Sequence, residues 1–399
     1  MLKVTWTPGG AAAPDDDAYK QATDTLAASF ANSNAIAQFP RDPAQAPTGL
    51  DQLAGVLKEW LAVRTVPNAA VKLMLHGYDY DPRHVGDPAY DPFATIYAYP
   101  GADGVNPRLS WLPLVEECNA DGSHRQETAI AFAWVSTGSL AEYATAGWSE
   151  NYQYACVDLA PLAANALAAL LRAIAAEGVT VDVLAHSLGT RLFTKAVAVL
   201  GADDAVVNNV ILLAGAEFSV DAAATFTGRQ FNVVNVTNEV DAVLTTGAEQ
   251  FGDPSRIPGS VPSCSLGRYG LGRPDAWTDG LKYPPNWVDV SLDRRDVQAW
   301  FKANGGYSLT PTASDGVHPN GQMNHWACYT EPGNRAWLTD LLWKPGLNGG
   351  ALAKLTGLPT GVLGDLQPVF AGVAIPNKTP MTMAARIAYQ QAAGGAGVG

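Results

Sequence analysis

Apolar residues in this chain gather into short, nearly unbroken runs separated by stretches of helical period. Val71 to Leu75, Ala129 to Ser136, Thr180 to Ala185, Val206 to Ala214, Phe231 to Val236 and Trp287 to Leu292 read as strands. Runs with so little polar alternation are what strands buried on both faces of a parallel sheet require. Between them, Tyr154 to Glu177 carries Leu159, Leu162, Ala166, Leu170 and Ile174 on one stripe and stops at Gly178, and Leu188, Leu192, Ala196, Val199 and Leu200 repeat at helical spacing until Gly201. A last helix is expected over Asn334 to Leu342. The alternation predicts an α/β fold: a mostly parallel central sheet with helices on both faces, joined by right-handed crossovers. Residues 1–68 read as an N-terminal extension of packing elements, with a strand at Leu2 to Trp6 and helices near Asp17 to Phe30 and Leu50 to Val63. Residues 69–345 form the main domain. Within it, 245–285 is a Gly-, Pro- and Ser-rich loop, long enough to cover a site. Residues 346–399 are a Gly/Ala-rich C-terminal extension with a helical candidate near Pro380 to Gln391 and a flexible tail.

One stretch organises the rest. Thr180 to Thr190, TVDVLAHSLGT, reads as a buried strand, a tight turn carrying Ser187, and a helix. A serine hydroxyl is a poor nucleophile until a base removes its proton, and a strand-to-helix elbow holds it clear of the backbone where a base can reach. The crowding asks for small residues two before and two after the serine. Ala185 and Gly189 stand there, alanine departing from the commoner glycine. The helix dipole behind the turn favours developing negative charge.

Partners for Ser187 follow from the chain order serine, acid, histidine that this architecture uses. Asp241, after the strand ending at Val236, is the expected acid, although it is also placed to cap a helix from Ala242; Glu217 and Asp221 are the runners-up. The base must follow the last strand, where His318 and His325 stand. His325 is preferred because it leads into the last helix, whereas His318 lies between Val317 and Pro319. His84 and His124 fall in early loops, and the side chain of His186 diverges from its neighbour Ser187. The first strand of the main domain ends in His76-Gly77-Tyr78. There the amide of Tyr78, with that of Leu188 after the serine, would form an oxyanion hole.

Composition narrows the alternatives. With 399 residues, 47% hydrophobic and 16% charged, the chain can bury a substantial core and fold. Its formal net charge of −13 repels phosphate backbones, which argues against a nucleic-acid partner. Met1 to Pro8 lacks the apolar stretch of a signal peptide. No apolar run is expected to reach membrane-spanning length, since the most apolar helix holds Asp158, Asn165 and Arg172; the expectation is a cytoplasmic protein. Cys118, Cys156, Cys264 and Cys328 are widely spaced, consistent with free thiols and with neither a zinc site nor a disulfide framework. The carboxylates between Asp79 and Asp91 do not have calcium-loop spacing. No metal or cofactor is expected, and oligomeric state is left open.

With these residues in place the chain resembles the α/β-hydrolase superfamily of esterases and lipases, over roughly Val71 to Leu342. The resemblance rests on His76-Gly77-Tyr78, Phe132-Ala133-Trp134-Val135-Ser136, Ala185-His186-Ser187-Leu188-Gly189, Asp241 and His325. It is closest to a bacterial branch with an F-x-W-P-S strand segment, an A-H-S-M-G elbow and an Arg-Leu-Gly segment. Here Val135 and Leu188 replace the proline and methionine, and Leu266-Gly267-Arg268 approximates the third element. It implies that residues 69–345 are a catalytic domain cleaving small-molecule carboxylic esters through an acyl-enzyme on Ser187. Thioester or amide cleavage, acyl transfer, or a catalytically silent scaffold used for binding are the alternatives on the same fold.

Overall fold

In a computed structural model of the chain, the described residues are 1–9, 20–63, 70–100, 105–115, 129–137, 148–246, 265–271, 287–314 and 324–343. Their strands are β1 (Leu2–Thr7), β2 (Thr23–Phe30), β3 (Ser33–Pro40), β4 (Val71–Leu75), β5 (Ala129–Trp134), β6 (Val181–His186), β7 (Val207–Leu213), β8 (Asn232–Thr237) and β9 (Trp287–Ser291). They form one sheet in the order β3-β2-β1-β5-β4-β6-β7-β8-β9. β1 runs parallel to β5, β5 to β4, β4 to β6 and β8 to β9, whereas β2 is antiparallel to both β1 and β3. Every residue of β4, β5 and β6 is buried, which is why these segments read as continuous apolar runs.

The main helices are α1 (Leu50–Ala62), α2 (Ala160–Ala176), α3 (Leu188–Leu200), α4 (Ser219–Phe226), α5 (Ala242–Thr246), α6 (Arg295–Gly305) and α7 (Pro332–Trp343). The mostly parallel sheet with helices is the fold class expected from the pattern. α2 continues a helical run from Trp148 through a π-helical turn at Ala155–Leu159. It buries Ala163, Leu167, Leu170, Leu171 and Ile174, among others, and packs on α3.

Two expectations are corrected. The segment read as a helix near Asp17 to Phe30 is β2 from Thr23 onward, with residues 10–19 outside the described set. Its burial alternates, and the polar residue on its buried face, Asp24, is paired with Arg41 Nη2 at 2.8 Å and receives the Gly9 amide at 2.9 Å. Residues 1–68 therefore supply three strands of the sheet. Among the described residues, one helical run, Asn151–Ala176, is long and apolar enough by length and composition to cross a membrane, contrary to expectation. More than half of its most apolar window is buried inside the fold, as befits a core helix. The proposed covering loop 245–285 is described at 245–246 and 265–271, and residues 346–399 lie outside the described set.

The chain divides into two compact units, one comprising Met1–Ile211 with Arg229–Asn232 and the other comprising Leu212–Gly228 and the chain from Val233. Ser187 belongs to the first, Asp241 and His325 to the second. Within the first, Lys72 of β4 stands opposite Asp182 of β6 and forms an ion pair with it; both are buried. Asp182 Oδ1 also accepts from Asn208 and Asn209 Nδ2, each at 2.8 Å, so a charge in the core is fully engaged.

Candidate active site

The sheet order reverses around β4, which lies between β5 and β6. At such a switch point the carboxyl ends of the strands part and leave a crevice. β4 ends at Leu75, β5 at Trp134 and β6 at His186, immediately before Ser187. Ser187 has φ 52° and ψ −123°, a left-handed backbone that costs a residue with a side chain about 1–3 kcal/mol. It stands at the N-cap of α3 but makes no side-chain capping bond, although serine is among the best capping residues. The fold therefore spends strain to turn this side chain away from a local partner. A Cβ on Gly189 would lie 2.5 Å from the Leu75 carbonyl oxygen and 2.6 Å from that of His76. A Cβ on Gly77 would lie 2.7 Å from Ser187 Cβ. Both glycines are required by close approach of the β4 end to the elbow. Ala185, in the register opposite Leu75, keeps its methyl in the core.

The His76-Gly77-Tyr78 turn is held by the end of β5. The Trp134 amide donates to His76 Nε2 at 3.0 Å, so the neutral ring keeps its proton on Nδ1, which donates to the Gly77 carbonyl at 2.9 Å. Trp134 Nε1 donates to the His76 carbonyl at 3.1 Å. Complete burial pushes the His76 pKa down to about 3, so the ring stays neutral. Across a trans peptide the N–H points opposite to the C=O, so fixing the Gly77 carbonyl also fixes the direction of the Tyr78 N–H. Beyond the turn, Ser136 N donates to the Tyr80 carbonyl at 2.8 Å, and Ser136 Oγ accepts from Tyr80 N at 3.0 Å. His186 is directed elsewhere, with its ring edge-on to Trp111 at 6.1 Å.

In the second unit, Asp241 and His325 meet. His325 Nδ1 donates to Asp241 Oδ2 at 2.6 Å, and both side chains are buried. In the neutral ring this leaves the lone pair on Nε2, the state a general base needs. Asp241 Oδ1 accepts the Leu244 amide at 3.0 Å, so the same carboxylate also caps α5. Each carboxylate oxygen of Asp241 thus has its own partner, the histidine ring for one and the helix N-terminus for the other. Asn324, before the histidine, has φ 49°, and its carbonyl accepts from Ala327 N at 3.2 Å. Asn238 Nδ2 donates to Pro311 O at 2.8 Å and lies 3.4 Å from Asn324 O, tying the acid's turn to the histidine's loop. Sequence reasoning missed Asn238 and Asn324; an asparagine just before the chosen histidine, a residue tolerant of positive φ, was the available signal.

Of the other candidates, Glu217 is buried and receives the Phe218 amide at 2.9 Å, and Asp221 lies in the first turn of α4. His318 and His124 fall outside the described residues. In the loop from Asp79 to Asp91, Asp81 pairs with Arg83, Asp87 accepts from the Ala89 amide, and Asp91 accepts from the Gly86 and Phe93 amides. Among the described residues no group of three or more His, Cys, Asp or Glu could hold a metal ion.

Comparison with known proteins adds one finding. A family described as "alpha/beta hydrolase of unknown function (DUF900)" matches residues 60–240, which include the His76 turn and the elbow. No curated protein and no solved structure matches the chain. A mostly parallel nine-stranded sheet, a strained serine between β6 and α3, and this match over residues 60–240 together give the chain an α/β-hydrolase fold.

Proposed function

We propose that this chain is a serine hydrolase that cleaves carboxylic esters through an acyl-enzyme on Ser187. The observation that carries the reading is the strained, non-capping Ser187 at the junction of β6 and α3; the Asp241–His325 hydrogen bond in the expected chain order supports it. In this mechanism Ser187 Oγ attacks the acyl carbon while His325 Nε2 takes its proton. The amides of Tyr78 and Leu188 receive the negative charge that develops on the carbonyl oxygen. Asp241 holds the imidazole tautomer and stabilises the imidazolium. Collapse expels the alcohol, which leaves with the proton from His325. Water, deprotonated by the same imidazole, then attacks the acyl-enzyme and releases the acid with Ser187 restored. No step calls for a cofactor, and the substrate is a small molecule, encountered in the cytoplasm.

The test is Ser187→Ala with p-nitrophenyl acetate and with a fluorophosphonate probe. The wild type is expected to turn over the ester and to be labelled at Ser187; the variant should lose both while keeping its circular dichroism spectrum. Turnover that survives in Ser187→Ala sinks the assignment. A wild type inert to both reagents assigns the fold to binding instead.

A further inference from the structure

The segment Ser265-Leu266-Gly267-Arg268 is threaded between the residues after β7 and those after β8. Leu266 N donates to Glu217 O and Gly267 N to Gly215 O, each at 2.8 Å, while Asn235 Nδ2 donates to Leu266 O at 3.1 Å. A Cβ on Gly267 would lie 2.2 Å from Gly215 N, so nothing larger than glycine passes. The segment then grips the turn that carries Asp241. Asn238 N donates to Gly267 O at 2.9 Å, and Asp241 N to Asn238 O at 3.2 Å. Arg268, 3% exposed, places Nε and Nη2 at 3.2 and 2.9 Å from the carbonyl oxygen of Glu239. On the other side of the same residue, the Asp293 carboxylate faces the Glu239 amide; burial pushes its pKa up, opposed by its own amide and that of Glu239 and, more weakly, by the Arg294 and Arg268 charges. A buried guanidinium carries a large desolvation cost, and two donors on one carbonyl make a rigid attachment.

We propose that Arg268 is a positioning residue: by holding the Glu239 carbonyl it fixes the turn that aims the Asp241 carboxylate at His325. Its effect on turnover rests on the ester-hydrolase reading; its effect on the Asp241–His325 bond does not. The experiment compares Arg268→Met and Arg268→Lys with the wild type by p-nitrophenyl acetate kinetics and by the far-downfield proton signal of an imidazole N–H bonded to a carboxylate. In Arg268→Met, kcat should fall about tenfold or more with KM within about twofold, and the signal should weaken or shift, because a misplacement well under 1 Å is costly in a catalytic assembly. Arg268→Lys keeps the charge and one donor and should lose about threefold. Wild-type kcat and signal in both variants overturn the proposal, as do equal losses in both accompanied by a shared fall in Tm. If Arg268→Met does not fold, Arg268→Lys decides, and wild-type values in that folded variant overturn the proposal. If the wild type cleaves no ester, the esterase reading fails while the proton signal still tests Arg268.

Discussion

At the scale of single residues, the elbow is defined more by what its neighbours lack than by the serine. A side chain at position 189 would strike two backbone carbonyls of the β4 end, Leu75 O at 2.5 Å and His76 O at 2.6 Å, neither of which can swing aside. Gly189→Ala is therefore expected to cost about 1–3 kcal/mol of stability by overpacking, read as a lower urea midpoint, and to abolish ester turnover. A variant with wild-type midpoint and rate would show that the close approach is not maintained. The small-residue pattern around Ser187 was legible in sequence because it follows from sterics along the chain itself. Gly77 was read as part of a turn, and its proximity to Ser187 Cβ was not, since that contact joins residues 110 positions apart. Chain order pairs Asp241 with the histidine and local sequence pairs it with the helix, and sequence cannot separate the two because a carboxylate has two oxygens and the fold gives each one partner.

At the scale of elements, the strands buried on both faces announced themselves, and β4 through β9 fall close to the expected positions. The failures occur where burial is partial. In sequence β2 reads as a helix because its apolar content is alanine-rich and its buried aspartate, Asp24, disguises the period of two; Arg41, 17 residues away, makes that burial tolerable. Helix α6 has much polar sequence, and the apolar pattern predicts no helix there. Between β4 and β6 the ion pair of Lys72 and Asp182 tests how far these strands depend on a polar contact in the core. Lys72→Ala should destabilise by about 3–5 kcal/mol, because it leaves a buried carboxylate with two amide donors and no cation. Lys72→Met combined with Asp182→Leu should recover most of that loss in urea unfolding. If the single variant is as stable as the wild type, the pair contributes nothing to holding β4 against β6.

At the scale of the whole molecule, acid stability carries a signature of the buried histidine. The folded chain keeps His76 neutral down to about pH 3, whereas the unfolded chain takes up a proton near the ordinary value of 6.5. The native state thus binds fewer protons over this interval. Its contribution is complete above about pH 6.5 and is lost as pH falls toward about 3, with a slope of up to about 1.4 kcal/mol per pH unit. Urea midpoints between about pH 4 and pH 7 should therefore climb less steeply in His76→Asn than in the wild type; parallel curves would show that His76 is protonated in the folded chain. The sheet also has a consequence at its margin. β3 ends the strand order, and an open edge offers unpaired amides and carbonyls on which another chain can build. Gln38, in the C-terminal half of β3, bonds with both of its outward backbone groups to Thr48, at 2.9 and 3.0 Å. A strand arriving from a second molecule would have to break this bridge before extending the ladder, so the clasp between Gln38 and Thr48 guards this edge against aggregation.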